Sequence, residues 1–181
     1  MTDKIKATLR DSAAMRWTAL LLLALAMFCA YIFVDILSPI KDLMLSERGW
    51  DSTSFGTMQG SETFLNVFVF FLIFAGIILD KMGVRFTAVL SGTVMLIGAL
   101  IKYYAISEAF KGSALDVWFT NNLNHIPVFE QLGVSPFYEG MPASAKVAAI
   151  GFMLFGCGTE MAGITVSRGI VKWFKGREMA L

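Results

Sequence analysis

The chain has 181 residues, 56% hydrophobic and 16% charged, with a mean hydropathy of +0.66; these values exclude an ordinary soluble domain and point to a membrane protein. A formal net charge of +1 gives no basis for binding nucleic acid, so charge informs only through its distribution. Two cysteines inside apolar runs, Cys29 and Cys157, and a single histidine, His125, in a polar segment argue against a disulfide framework and leave no metal or cofactor to expect.

Residues 1–16 carry Lys4, Lys6, Arg10 and Arg16, and Trp17 then opens the apolar run Thr18–Val34. The run exceeds a signal-peptide core of roughly 7–15 residues, and no small-x-small cleavage site follows, so it reads as an uncleaved first span. Asp35 lies one helical turn beyond Tyr31 near its outer end, and Pro39, four residues later, predicts a kink at Asp35. Asp35 either caps the span at the interface or faces a central cavity, because ionisable groups at membrane depth need a partner or water.

Residues 40–60 are mixed and polar and read as an aqueous connection. A second span runs from Ser61 through Ala75, with Glu62 and Asn66 one turn apart on one face, a candidate pathway lining. The stretch Gly76 to Arg85 is a tight polar turn, in which Gly76 and Gly83 are expected to let backbones approach closely while Asp80, Lys81 and Arg85 mark the membrane exit. The third span, Phe86–Ile101, contains Ser91, Gly92, Gly98 and Ala99 for helix packing, and Lys102-Tyr103-Tyr104 at its end reads as a snorkelling interfacial anchor.

The segment 107–144 is polar, holds three of the four prolines and interleaves aromatics, which predicts a long external loop with a short interfacial helix at Ala114–Leu123. A fourth span over 145–171 places Glu160 mid-membrane, at a cost on the order of 2.5–3.5 kcal/mol on insertion scales, which marks it for pairing, proton traffic or ligand binding. Helical stepping puts Gly156, Cys157, Glu160, Gly163 and Ser167 on one small polar stripe. The remainder, 172–181, is a basic connection whose last residues read as the start of a fifth helix, so a fragment is expected.

Assigning the N-terminus, the Asp80 turn and the stretch from Arg168 onward to one side gathers ten of the fifteen Lys and Arg there. The 107–144 segment has Lys111 alone. The positive-inside rule makes the first side cytoplasmic, so the expected fold is an all-α, multi-pass protein of the cell (inner) membrane. Its domains are the cytoplasmic N-terminus 1–16, three spans in 17–106, the extracytoplasmic loop 107–144, the fourth span and the cytoplasmic tail. Without a nucleotide loop, a Ser/His/Asp set or metal-ligand spacing, no catalytic residue is assigned and an enzyme is the weaker class.

Gly76-x-x-x-Asp80-Lys81-x-Gly83-x-Arg85 resembles the signature between the second and third helices of the major facilitator superfamily. Tyr31–Ile40, and Gly156–Glu160 followed by Lys172–Glu178, are similar to the branch of lysosomal dipeptide transporters and bacterial relatives, although the long 107–144 loop departs from it. The resemblance implies about twelve helices in two six-helix halves, with the four spans here opening the first half, and alternating access about a midplane site. It also implies that Asp80 is a gate residue meeting a helix N-terminus of the opposite half, with Arg168 as its local partner. Glu160 becomes the first candidate for contact with solute or a coupled proton, with Asp35 and Tyr31 second. The implied partners are membrane lipid, a small organic solute (amino acid, dipeptide or organic anion), a coupled proton or ion, and the rest of the same protein. The competing expectation is a four-helix membrane scaffold without transport activity.

Overall fold

The computed structural model describes residues 12–174, and every regular element among them is helical. The basic residues Lys4, Lys6 and Arg10, and the expected fifth-helix start, lie outside the described residues. Helix α1, Ala13–Asp35, opens at Ser12, whose hydroxyl accepts the Met15 N–H at 3.4 Å. It ends at Asp35 rather than kinking there. Pro39 has no N–H to donate to the Asp35 carbonyl, so the chain passes through a 3-10 turn, Ser38–Ile40, into α2, Lys41–Arg48.

Residues 40–60 are not an aqueous link. After α2 comes α3, Ser52–Gly60, and Met44, Trp50, Phe55 and Met58 are all buried. The few apolar residues are spaced so that one face of each short helix packs inward, which the surrounding Ser, Thr, Asp and Glu disguise. Trp50 Nε1–H donates to Ser144 Oγ at 2.8 Å, tying the segment to the start of the last helix.

Asp51 caps α3. Its Oδ1 accepts the Ser54 N–H at 2.8 Å and the Tyr138 hydroxyl at 3.0 Å, and the Ser54 side chain, the Ser54 N–H and Tyr138 together hold its carboxyl down from 3.8 to about 2. A carboxyl depressed on folding contributes stability that is full above the unfolded pKa and lost as pH falls through the folded one. The difference in Tm between wild type and Asp51→Asn should therefore be constant above about pH 4 and shrink between about pH 4 and pH 2. A gap independent of pH across that window would refute the assignment.

The expected second span is interrupted. A 3-10 turn, Ser61–Thr63, leads into α4, Phe64–Phe68, and the helix then breaks at Val69–Phe70, where Phe70 is left-handed at φ 54°. The long helix α5, Phe71–Ala105, follows and contains a non-helical residue, Gly83, at φ 81° and ψ 169°. That conformation is essentially restricted to glycine. A Cβ at Gly76 or Gly83 would meet nothing within 4 Å, so neither glycine serves a close approach; Gly83 is needed for its backbone angles.

Contacts with the last helix, α8, Ala143–Trp173, show what Gly83 does. Before it, Ser61 lies at Ala149 and Asp80 at Arg168, so the chain runs with α8. After it, Ser91 and Met95 lie at Gly158, and Gly98 and Lys102 at Gly151, so it runs against α8. Helix α1 also runs against α8, with Trp17 on Phe174 and Phe33 on Phe155.

Three helices are long and apolar enough to cross a membrane: Ala13–Arg48, taken through the 3-10 turn, Phe71–Ala105 and Ala143–Trp173. Of the most apolar window in each, 11%, 22% and 72% is buried, which makes α8 the central helix. Leu21, Leu22, Phe28, Ile73 and Val89 point outward and are well exposed, as suits a lipid-facing shell. On α8 the expected polar stripe is only partly distinct, because Phe152, one turn before Gly156, lies on the stripe itself, and Phe155 on another face is as buried as Gly156 and Cys157.

The segment between α5 and α8 folds as a strap. It contains α6, Ala114–Asn121, and α7, Pro127–Gln131. Phe129 packs edge-on against Phe64 with centroids 4.8 Å apart. Lys146, fully buried on α8, donates to Phe119 O at 2.9 Å, Asn122 O at 3.2 Å and Asn124 Oδ1 at 2.6 Å. His125 is exposed, with Nδ1 2.8 Å from Glu130 Oε1.

Candidate functional site

Ionisable groups from different parts of the chain converge beside the middle of α8. Glu62 lies in the Ser61–Thr63 turn, which is pinned because Ser61 Oγ–H lies 2.6 Å from Met58 O and 3.0 Å from Ala149 O. The Glu62 carbonyl lies directly against Gly156, where any side chain would collide with it. Glu62 is half-buried, and the charges of Glu160, Lys102 and Asp35 all act on its carboxylate. Gln59 Nε2–H donates to Val34 O at 2.9 Å and holds the end of α1, with Asp35, beside this turn.

Glu160 is half-buried on α8, one turn beyond Gly156, whereas Asp35 and Tyr31 are exposed. Asn66 is only 8% exposed, and neither its amide oxygen nor its nitrogen has a hydrogen-bond partner among the described residues. Both amide atoms are themselves buried, a costly arrangement that a polar group reaching them would relieve. Counting Asp35, Glu62 and Glu160 against Lys102, the group carries two more carboxylates than ammonium groups, a surplus that attracts cations or protons in a low-dielectric setting.

Lys102 is the residue that sequence reading misplaced. It does not snorkel: it is 2% exposed, with Nζ 3.5 Å from the Phe152 ring centroid and 4.9 Å from that of Phe33. The pattern Lys-Tyr-Tyr at a span end matches an interfacial anchor, but Ser91, Gly98, Lys102 and Ala105 fall at helical spacing on one buried face of α5. Gly98, one turn earlier, carried the signal that this face meets another helix.

A second polar locus lies toward the C-terminal end of α8. Arg168 Nη2 is 3.2 Å from Asp80 Oδ1, and both side chains are largely exposed, at 60% and 69%. The pair borders a groove of about 470 Å³ lined by Leu72, Gly76, Leu79, Ile164, Ser167 and Val171. Lys81 and Arg85 are exposed on either side of Gly83. An exposed pair of this kind contributes little to stability, about 0–1 kcal/mol, which leaves Asp80 free to exchange partners. No group of His, Cys, Asp or Glu among the described residues has the arrangement of a metal site.

No protein-family profile matches this chain, and no curated protein or solved structure matches it significantly.

Proposed function

We propose that the chain forms the first four spans of a major-facilitator-type secondary transporter, carrying a small organic solute across a membrane by alternating access. The observation that carries this reading is the convergence of Asp35, Glu62, Lys102 and Glu160, together with the unpartnered Asn66 amide, beside the midpoint of the central helix. Reversal of the chain at Gly83 divides α5 into the end of a second span and the whole of a third, so that α1, the 52–82 stretch, the 84–105 stretch and α8 make four spans. The signature residues Gly76, Asp80, Lys81, Gly83 and Arg85 then run from the end of the second span, through the reversal at Gly83, into the start of the third, on the cytoplasmic side. Charge distribution supports a cytoplasmic N-terminus.

In this mechanism a second bundle rocks against the first. Asp80 exchanges Arg168 for a helix N-terminus of that bundle, where the dipole favours a carboxylate. Glu62 and Glu160 take the amino group of the solute or a coupled proton, and Asn66 donates and accepts beside them.

The test is uptake of amino acids, dipeptides and organic anions by cells expressing the whole protein. Glu62→Gln and Glu160→Gln should each lower the rate roughly 10- to 100-fold at unchanged membrane abundance, the effect of losing one charge-assisted contact, and should flatten the dependence of uptake on pH. Unchanged rates and pH profiles in both variants would remove these carboxylates from the mechanism, and no uptake of any of these solutes by the whole protein would favour a four-helix scaffold over a carrier.

A further inference from the structure

Two lysines are fully buried around α8, and they are held in opposite ways. Lys146 has three oxygen acceptors, all in the strap. Lys102 has none: Nζ is without a hydrogen-bond partner among the described residues, facing the rings of Phe152 and Phe33 instead. The carboxylate whose charge acts on it is Glu62. An ammonium stripped of water and given no acceptor is poorly compensated, whereas the π faces and a nearby carboxylate attract any cation of suitable size. Withdrawing Lys102 breaks no hydrogen bond among the described residues.

We infer that Phe33, Phe152 and Glu62 form a binding site for a primary ammonium group, which the chain's own Lys102 occupies and from which an amine-bearing solute displaces it. Lys102 thereby serves as a tethered counter-ion that compensates Glu62 in the unloaded protein. The surplus carboxylates Glu160 and Asp35, which also act on Glu62, keep the region attractive to a second cation while Lys102 is still in place. The inference rests on the transport reading only in calling the amine a transported solute; the ammonium site itself is testable by binding.

Lys102→Ala removes Cγ, Cδ, Cε and Nζ, and n-propylammonium supplies the same atoms. In the purified 181-residue chain in mild detergent, n-propylammonium should raise the Tm of Lys102→Ala saturably, by about 4 °C. 1-Propanol, of the same size but neutral, should not, and Lys102→Ala/Glu62→Gln should respond at least tenfold more weakly to the amine. Should Lys102→Ala not fold unaided, folded yield with n-propylammonium present throughout expression and extraction becomes the readout. Recovery by the amine alone supports the site. An equal response to propanol, or none to either compound, overturns it. Uptake measurements separate the two ideas: amine binding without uptake rejects transport and leaves the site, and uptake without amine binding rejects the site alone.

Discussion

Gly98→Leu should abolish the folded protein. A Cβ at this position would lie 2.5 Å from Gly151 O and from Phe155 N, and 3.0 Å from Phe155 Cα. All three atoms belong to the backbone of α8, so no rotamer change relieves the overlap, and α5 must move away from the central helix. The usual cost of overpacking, about 1–3 kcal/mol, assumes flexible neighbours; here the cost is larger, because contact is lost along the whole length of the pair. Size-exclusion chromatography in mild detergent should show aggregate in place of the monodisperse peak. Gly92→Leu, six residues away with nothing within 4 Å of its Cβ, should elute as wild type. Equal behaviour of the two variants would show that the close crossing is not what holds these helices together.

Releasing the strap is the second large effect. Lys146→Met keeps the bulk of the side chain on α8 but leaves Phe119 O, Asn122 O and Asn124 Oδ1 without their donor. Hydrogen bonds to a charged group contribute about 1.5–3 kcal/mol each. With water recovering part of that loss at the protein surface, opening of the strap should become easier by about 3 kcal/mol, roughly a 100-fold increase in the open population. Proteolysis within residues 107–142, under conditions where opening and closing are fast, should accelerate by the same factor. Lys111→Met provides the comparison, since Lys111 is half-exposed in its pair with Glu108 and its loss should leave cleavage unchanged. Equal cleavage of wild type and Lys146→Met would show that the lysine does not hold the strap.

The membrane character and the helical content of this chain were legible because both follow from long apolar runs, and those runs recur as the three long helices. What lay hidden was the interior arrangement. Residues 40–60 look solvated because small polar residues outnumber Phe55 and Met58, yet a few apolar contacts at helical spacing suffice to bury one face. Lys102 followed an interfacial pattern at the wrong depth, which only the small residue one turn before it contradicted. The break at Val69–Phe70 has no marker at all, since neither glycine nor proline stands there and Phe70 adopts a conformation that L-residues avoid. Near the candidate site, the spacing of Glu62 and Asn66 revealed a shared face, but the placement of Glu62 in a 3-10 turn against Gly156 depends on tertiary contact.

The central position of α8 has a consequence for how the protein is made. Of the long helices it is the most buried and it bears Lys146 and Glu160, yet it is the last of them to leave the ribosome. The earlier helices must wait in the bilayer with the faces that will cover α8 still unsatisfied, and α8 must pass from the translocon directly into their slot, because lipid is a poor solvent for its polar side. Membrane integration of α8 should thus depend on the helices that precede it.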